Sequence, residues 1–81
     1  MPTVIHERGF RVMIYLNDHP PPHVHVKKDG REVRVRLDPV ELWDGDLPPS
    51  DARQAVAIVE ANRDILMANW QEMHDDELDS R

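Results

Sequence analysis

The chain contains no cysteine, which excludes disulfides, thiolate metal sites and cysteine nucleophiles, and fits a cytoplasmic address. Aromatic residues are scarce, at 5%, so a core drawn from the 40% apolar residues is aliphatic. No apolar run approaches the roughly 18 residues that a membrane span needs, and no signal-peptide pattern opens the chain. There is no Gly-rich phosphate loop, no Ser-His-Asp arrangement and no HExxH. With 81 residues, a Rossmann domain, a TIM barrel and a two-domain enzyme are all excluded. A domain this small buries only about 60% of its unfolded surface, so its core is thin.

The charge is distributed unevenly along the chain. Residues 1–37 carry seven Lys/Arg against four acids, net +3, whereas residues 38–81 carry three Arg against twelve acids, net −9. The two halves either present separate surfaces to different partners or neutralise each other within the fold.

The first half reads as strands. Thr3–Glu7 and Phe10–Leu16 are rich in β-branched and aromatic residues, and Arg8-Gly9 supplies a tight turn between them. Phe10, Val12, Ile14 and Leu16 alternate with polar or long neighbours at the period of a half-buried strand. Pro20-Pro21-Pro22 cannot extend a ladder, so residues 17–22 form a stiff loop. Asp29-Gly30 is a favoured type I′ pair. Counting outward from it pairs Lys28 with Arg31, Val26 with Val33, His25 with Arg34 and His23 with Arg36. Val24, Val26, Val33, Val35 and Leu37 then share the buried face. His23, His25, Lys27, Glu32, Arg34 and Arg36 share the other.

Asp38-Pro39 ends this strand and leaves room for a short edge strand at Val40–Trp43. Ser50 is a favourable N-cap, and Ala52, Val56, Val59, Leu66, Trp70 and Met73 keep the spacing of one helix face. Arg63 interrupts that stripe. The expectation is one domain over residues 1–81, with strands within 3–43, a helix over about 51–74 and a frayed acidic tail over 75–81. Its fold class is α+β: an antiparallel sheet of about four strands with one long C-terminal helix on its aliphatic face.

The chemistry concentrates in His19-Pro20-Pro21-Pro22-His23-Val24-His25. His23 and His25 are two apart on a strand and project from the same face, while His19 enters from the proline-stiffened loop. With Arg34 and Arg36 across the ladder, they suit a phosphodiester: guanidiniums hold phosphate oxygens and imidazoles act as general base and acid. Arg11 joins this substrate-binding face, and Tyr15 is placed to stack on a base. Asp18 either orients an imidazole or closes an Asx turn ahead of the prolines. The competing reading is an ion held by His19, His23 and His25. Arg34 and Arg36 repel a divalent cation, so no cofactor is required and a divalent metal stands as the alternative. Exposed strands also carry alternating polar residues without function, which accounts for His6 and His74. Trp43 and Trp70 read as core or interface anchors.

The block Asn17-Asp18-His19-Pro20-Pro21-Pro22-His23-Val24-His25-Val26 resembles the small bacterial proteins grouped as domain of unknown function 4160. The likeness runs from Met1-Pro2-Thr3 through Gly9-Phe10-Arg11, Asp29-Gly30 and Leu37-Asp38-Pro39-Val40 to Asn69-Trp70. The strongly acidic ending after Trp70 departs from it, where an aromatic-rich end is expected. The resemblance implies a component of a two-gene toxin–antitoxin module with a small cognate protein partner. Three functions follow as expectations. The first is a cytoplasmic module component acting on RNA as a ribonuclease-like hydrolase through Asp18, His19, His23 and His25. The second is a non-enzymatic binding partner that docks through the acidic helix. The third is a metal-dependent hydrolase. No membrane is involved, and an overhanging helix with Trp70 permits a homodimer.

Overall fold

The computed structural model describes residues 3–79, with side chains described over 4–74. Met1, Pro2, Ser80 and Arg81 lie outside the described residues, and with them the start of the family likeness and the end of the acidic tail. Five strands form one antiparallel meander in the order β1 (Thr3–Glu7), β2 (Phe10–Met13), β3 (His23–Lys28), β4 (Arg31–Leu37) and β5 (Val40–Gly45). Two helices follow, α1 (Pro49–Ala61) and α2 (Arg63–Asp79).

Both tight hairpins turn on paired positive φ angles. Arg8 (53°) with Gly9 (82°) and Asp29 (54°) with Gly30 (78°) take the left-handed conformations that a type I′ turn requires. The β3–β4 register is the one counted from Asp29-Gly30, from Lys28 opposite Arg31 to His23 opposite Arg36. Phe10, Val12, Val24, Val26, Val33, Val35 and Leu37 are buried on one face, where Ala55, Ile58 and Val59 of α1 and Leu66 and Trp70 of α2 cover them. At roughly 1.5–3 kcal/mol for each large side chain removed from water, this face is the main source of stability.

The structure corrects several expectations. The expected sheet of about four strands has five, because the edge segment expected at Val40–Trp43 pairs with β4 as a strand running on to Gly45, with a register shift between Arg34 and Val35. Gly45 makes that pairing fit: its φ is +135°, and a Cβ there would lie 2.3 Å from Val33 Cα. The expected single long helix is two. Asn62 leaves helical geometry at φ −117°, ψ 20°, and its side-chain amide donates to the Ile58 carbonyl at 2.7 Å, competing with the helix ladder. Arg63, the residue that breaks the apolar stripe, donates from Nε to the carbonyl of Leu37 at 3.0 Å and so ties the junction to the end of β4. Finally, α1 starts at Pro49 without a side-chain cap, in place of a Ser50 cap, because Pro fits the first helical turn without needing its N–H. α2 continues as helix to Asp79, beyond the expected end near 74.

Strand β2 also stops earlier than the alternation predicts. At Tyr15 the chain turns: the Asp18 N–H donates to the Tyr15 carbonyl at 3.1 Å, and the Tyr15 N–H donates to Asp18 Oδ2 at 3.2 Å. This closed turn aims Asp18 back over the sheet and leaves Leu16 68% exposed.

Candidate metal centre

The polar residues project from the other face of the strands, whose loop end α2 also reaches through Trp70 against His23 and His74 against the Asp18 carbonyl. Near the start of β3, Asp18, His23 and His25 bring a carboxylate oxygen and two imidazole nitrogens within 4.8 Å of one another. Strand alternation puts both histidines on this face, and the Tyr15–Asp18 turn delivers the carboxylate. His25 Nε2 lies 3.1 and 3.2 Å from the two Asp18 oxygens, and His23 Nε2 lies 3.7 Å from Oδ1. Donors around an ion at about 2.1 Å in tetrahedral geometry sit roughly 3.4 Å apart, so the His–Asp spacings fit a cation with little movement.

Each ring is fixed from behind. His23 Nδ1 donates to the Pro21 carbonyl at 2.9 Å, which leaves Nε2 as the atom facing Asp18. His23 Nε2 is buried and has no hydrogen-bond partner. His25 Nδ1 lies 2.5 Å from Glu32 Oε2. Glu32 sits diagonally across the β3–β4 ladder from His25, within reach of a long side chain. Carboxylates only accept, so one ring proton satisfies Glu32 or Asp18 but not both; a second proton or a cation must serve the other. An imidazole backed by a carbonyl or carboxylate at one nitrogen and free at the other is the usual arrangement of metal-ligating histidine.

The cluster is nearly buried. The side chains of His23, His25 and Asp18 are 3%, 12% and 12% exposed, which keeps a polymer away from them. The His23 ring meets the edge of Trp43 at 5.0 Å and lies 5.4 Å from Trp70. Tyr15 packs edge-on against His25 at 4.7 Å, and its hydroxyl points to Met13 Sδ at 3.7 Å. His74 stacks on Trp70 at 3.8 Å, with Nδ1 2.8 Å from the Trp70 carbonyl and Nε2 3.0 Å from the Asp18 carbonyl.

The sequence-predicted residues therefore divide. Asp18, His23 and His25 come together, and Asp18 both closes its turn and contacts an imidazole. His19 is exposed and stands outside the cluster, since the turn that aims Asp18 inward leaves its neighbour facing out. Arg34 and Arg36 lie where expected, but β5 supplies each with an acid. Arg34 forms a two-point pair with Asp44, Nε to Oδ1 at 2.9 Å and Nη2 to Oδ2, and stacks over Trp43 at 4.6 Å. That hydrogen-bonded pair holds the Asp44 carboxyl below its ordinary value and raises Arg34. Arg36 faces Glu41 at 4.0 Å. Arg11 is exposed at the far end of the sheet, opposite Lys27. Sequence reasoning missed Glu32, Asp44, Trp70 and His74 as contributors. Glu32 was within reach of the hairpin count; Asp44 required knowing that β5 pairs with β4 beyond Trp43.

Arg34 and Arg36 repel a cation less strongly once they face Asp44 and Glu41, and the acids Asp18 and Glu32 stand closer to the imidazoles. Two histidines and one carboxylate with open positions suit zinc or a ferrous-type ion. Among the described residues, no helix is long and apolar enough to cross a membrane. No curated protein and no solved structure matches the chain. The family model described as Domain of unknown function (DUF4160) matches residues 9–71, and the chain belongs to that family.

Proposed function

We propose that this protein binds one divalent transition-metal ion through Asp18, His23 and His25, and that the ion serves hydrolysis by activating a bound water. The observation that carries the reading is the buried, unpartnered Nε2 of His23, aimed at the carboxylate that His25 Nε2 also contacts. Leaving a buried polar atom unmatched costs about 1–3 kcal/mol, a cost a bound cation would remove. The bound metal would act as a Lewis acid and lower the pKa of its water. Glu32 and the Pro21 carbonyl would hold the two rings in register, and Trp43 and Trp70 would limit the entry of bulk solvent.

The RNA reading draws less support. Arg34 and Arg36 already face carboxylates, Tyr15 is packed against His25, and a polynucleotide cannot reach His23 at 3% exposure. A toxin–antitoxin role in the cytoplasm, suggested by the family resemblance, is compatible with a metal centre of either enzymatic or structural use.

The test is a titration of metal-stripped protein with Co²⁺, read by visible absorption and by calorimetry. Saturation at one equivalent is expected, and His23→Ala should weaken binding by at least about 100-fold while circular dichroism stays native. His19→Ala should bind as the unaltered protein does. Absence of a saturable Co²⁺ or Zn²⁺ signal would sink the proposal.

A further inference from the structure

At the opposite end of the sheet the Arg8-Gly9 and Asp29-Gly30 turns lie side by side, with the Cβ position of Gly9 4.0 Å from Lys28 Cε. Between them is a cavity of about 270 Å³, whose lining includes Gly9, Arg11, Lys27, Lys28, Arg31 and Glu32, with Asp29 at its turn. Its charges are unequally committed. Lys28 Nζ is held by Asp51 at 3.1 Å and lies over the Phe10 ring at 4.8 Å. Glu32 gives Oε2 to His25 and lies 3.8 Å from Lys27 through Oε1. Among the described residues Arg11 and Arg31 make no ion pair, and both are exposed. Two guanidiniums and a loosely held ammonium thus face a single uncommitted carboxylate, Asp29.

We infer that this cavity binds a small phosphate-bearing ligand. Planar guanidinium forks match phosphate oxygens two at a time, and a doubly charged phosphate answers the local excess of cations. Nothing lies within 4 Å of the Cβ position of Gly30, so the rim is open where a ligand would enter. Size and charge together select the ligand. A volume of about 270 Å³ falls just under the roughly 300 Å³ at which ordinary ligand pockets begin, and so fits a phosphate with a small appendage. The chain as a whole carries −6, which a polynucleotide would meet over its length. A small phosphate is screened from charges beyond a Debye length of about 8 Å and meets chiefly the lining, where four cations stand against two carboxylates. The site is separate from the metal ligands and stands whether or not a metal binds.

The inference is tested by following backbone amides of the full chain by ¹⁵N NMR. Inorganic phosphate, a nucleoside 5′-monophosphate and a ten-nucleotide single-stranded RNA are titrated separately. Saturable shifts at Gly9, Gly30 and Arg31 are expected with both small ligands, the monophosphate binding the tighter. The RNA is expected to bind no more tightly than the monophosphate. Arg11→Gln and Arg31→Gln should each weaken binding about tenfold, and Arg53→Gln, an exposed α1 arginine, should not. Shifts that never saturate, or an Arg53→Gln effect equal to the others, would overturn the site. RNA binding tenfold tighter than the monophosphate would overturn the choice of a small ligand.

Discussion

The two ends of the open sheet face handle charge in opposite ways. At the loop end, Asp18, His23 and His25 are nearly enclosed, and every nearby guanidinium faces an acid from β5. At the turn end, Arg11 and Arg31 extend into solvent without ion pairs among the described residues, around a cavity. The same period-two strands build both, so the difference comes from what packs over them. The Tyr15–Asp18 turn, Trp43 and Trp70 cover one end; nothing described covers the other. Enclosure concentrates electrostatic interactions that solvent would screen, which favours a cation among converging acceptors. Exposure keeps cations available for an anion that arrives and leaves. Glu32 touches both ends, binding His25 with one oxygen and approaching Lys27 with the other.

The largest way to break this contrast is to remove the cover that β5 supplies. In Gly45→Ala, the new Cβ would meet Val33 Cα at 2.3 Å and the Glu32 carbonyl oxygen at 2.6 Å, both backbone atoms that cannot swing aside. With φ at +135° the backbone is strained as well. A loss of about 3 kcal/mol is expected in urea unfolding, with Trp43 emission shifted to the red as the strand peels away. Native stability in this variant would show that β5 is not held by close approach at Gly45.

A more selective test separates the two ends through the residue they share. Glu32→Gln removes the charge that backs His25 and the charge that offsets Lys27. Metal affinity should fall about 10–100-fold, the usual cost of losing the partner behind a ligating histidine. Phosphate affinity at the turn end should rise, because Lys27 loses its nearest acid. Calorimetry with Zn²⁺ and with inorganic phosphate reads the opposite signs in one variant. A fall in both would mean that Glu32 acts through stability, and the contrast between the ends would be lost.

Much of this frame was legible in the sequence, and the rest was not, for identifiable reasons. Asp29-Gly30 dictates a turn with both central residues at positive φ, so the pairing of six residues on each strand follows by counting. Alternation then separates Val24 and Val26 from His23 and His25. The closure of Asp18 onto His25 depends on the chain leaving the sheet after Met13, whereas Ile14 and Leu16 keep an alternation that argues for a longer strand. Pairing of β5 as far as Gly45 turns on that residue's close approach to Val33, which is a tertiary fact. The helix break is similar. Val59, Leu66 and Trp70 keep one apolar face across Asn62, so periodicity does not register the junction; the only local sign is Arg63 within the stripe.

The smallest expected effect concerns Asp44, and it asks how far charge balance at the loop end extends. Arg34 lowers the Asp44 carboxyl first through their hydrogen bonds and then through Coulombic attraction. A carboxyl lowered in the folded state contributes stability that is present above the ordinary value of 3.8 and lost as pH falls through the lower folded value. The two side chains are 38% and 50% exposed, so solvent screening keeps the contribution under about 1 kcal/mol. Asp44→Asn should therefore lower stability slightly at pH 7 in urea unfolding, and the difference from the unaltered protein should shrink once the pH falls well below 3.8. The same variant leaves Arg34 without its counter-charge on the face that carries His23 and His25. An uncompensated cation there should weaken Zn²⁺ binding by a few-fold, less than the loss of Glu32, because it acts at longer range and through partly exposed surface. If Asp44→Asn leaves Zn²⁺ affinity unchanged while Glu32→Gln lowers it, the β5 acids serve only to pair Arg34 and Arg36, and the electrostatic reach of the centre stops at the groups touching its imidazoles.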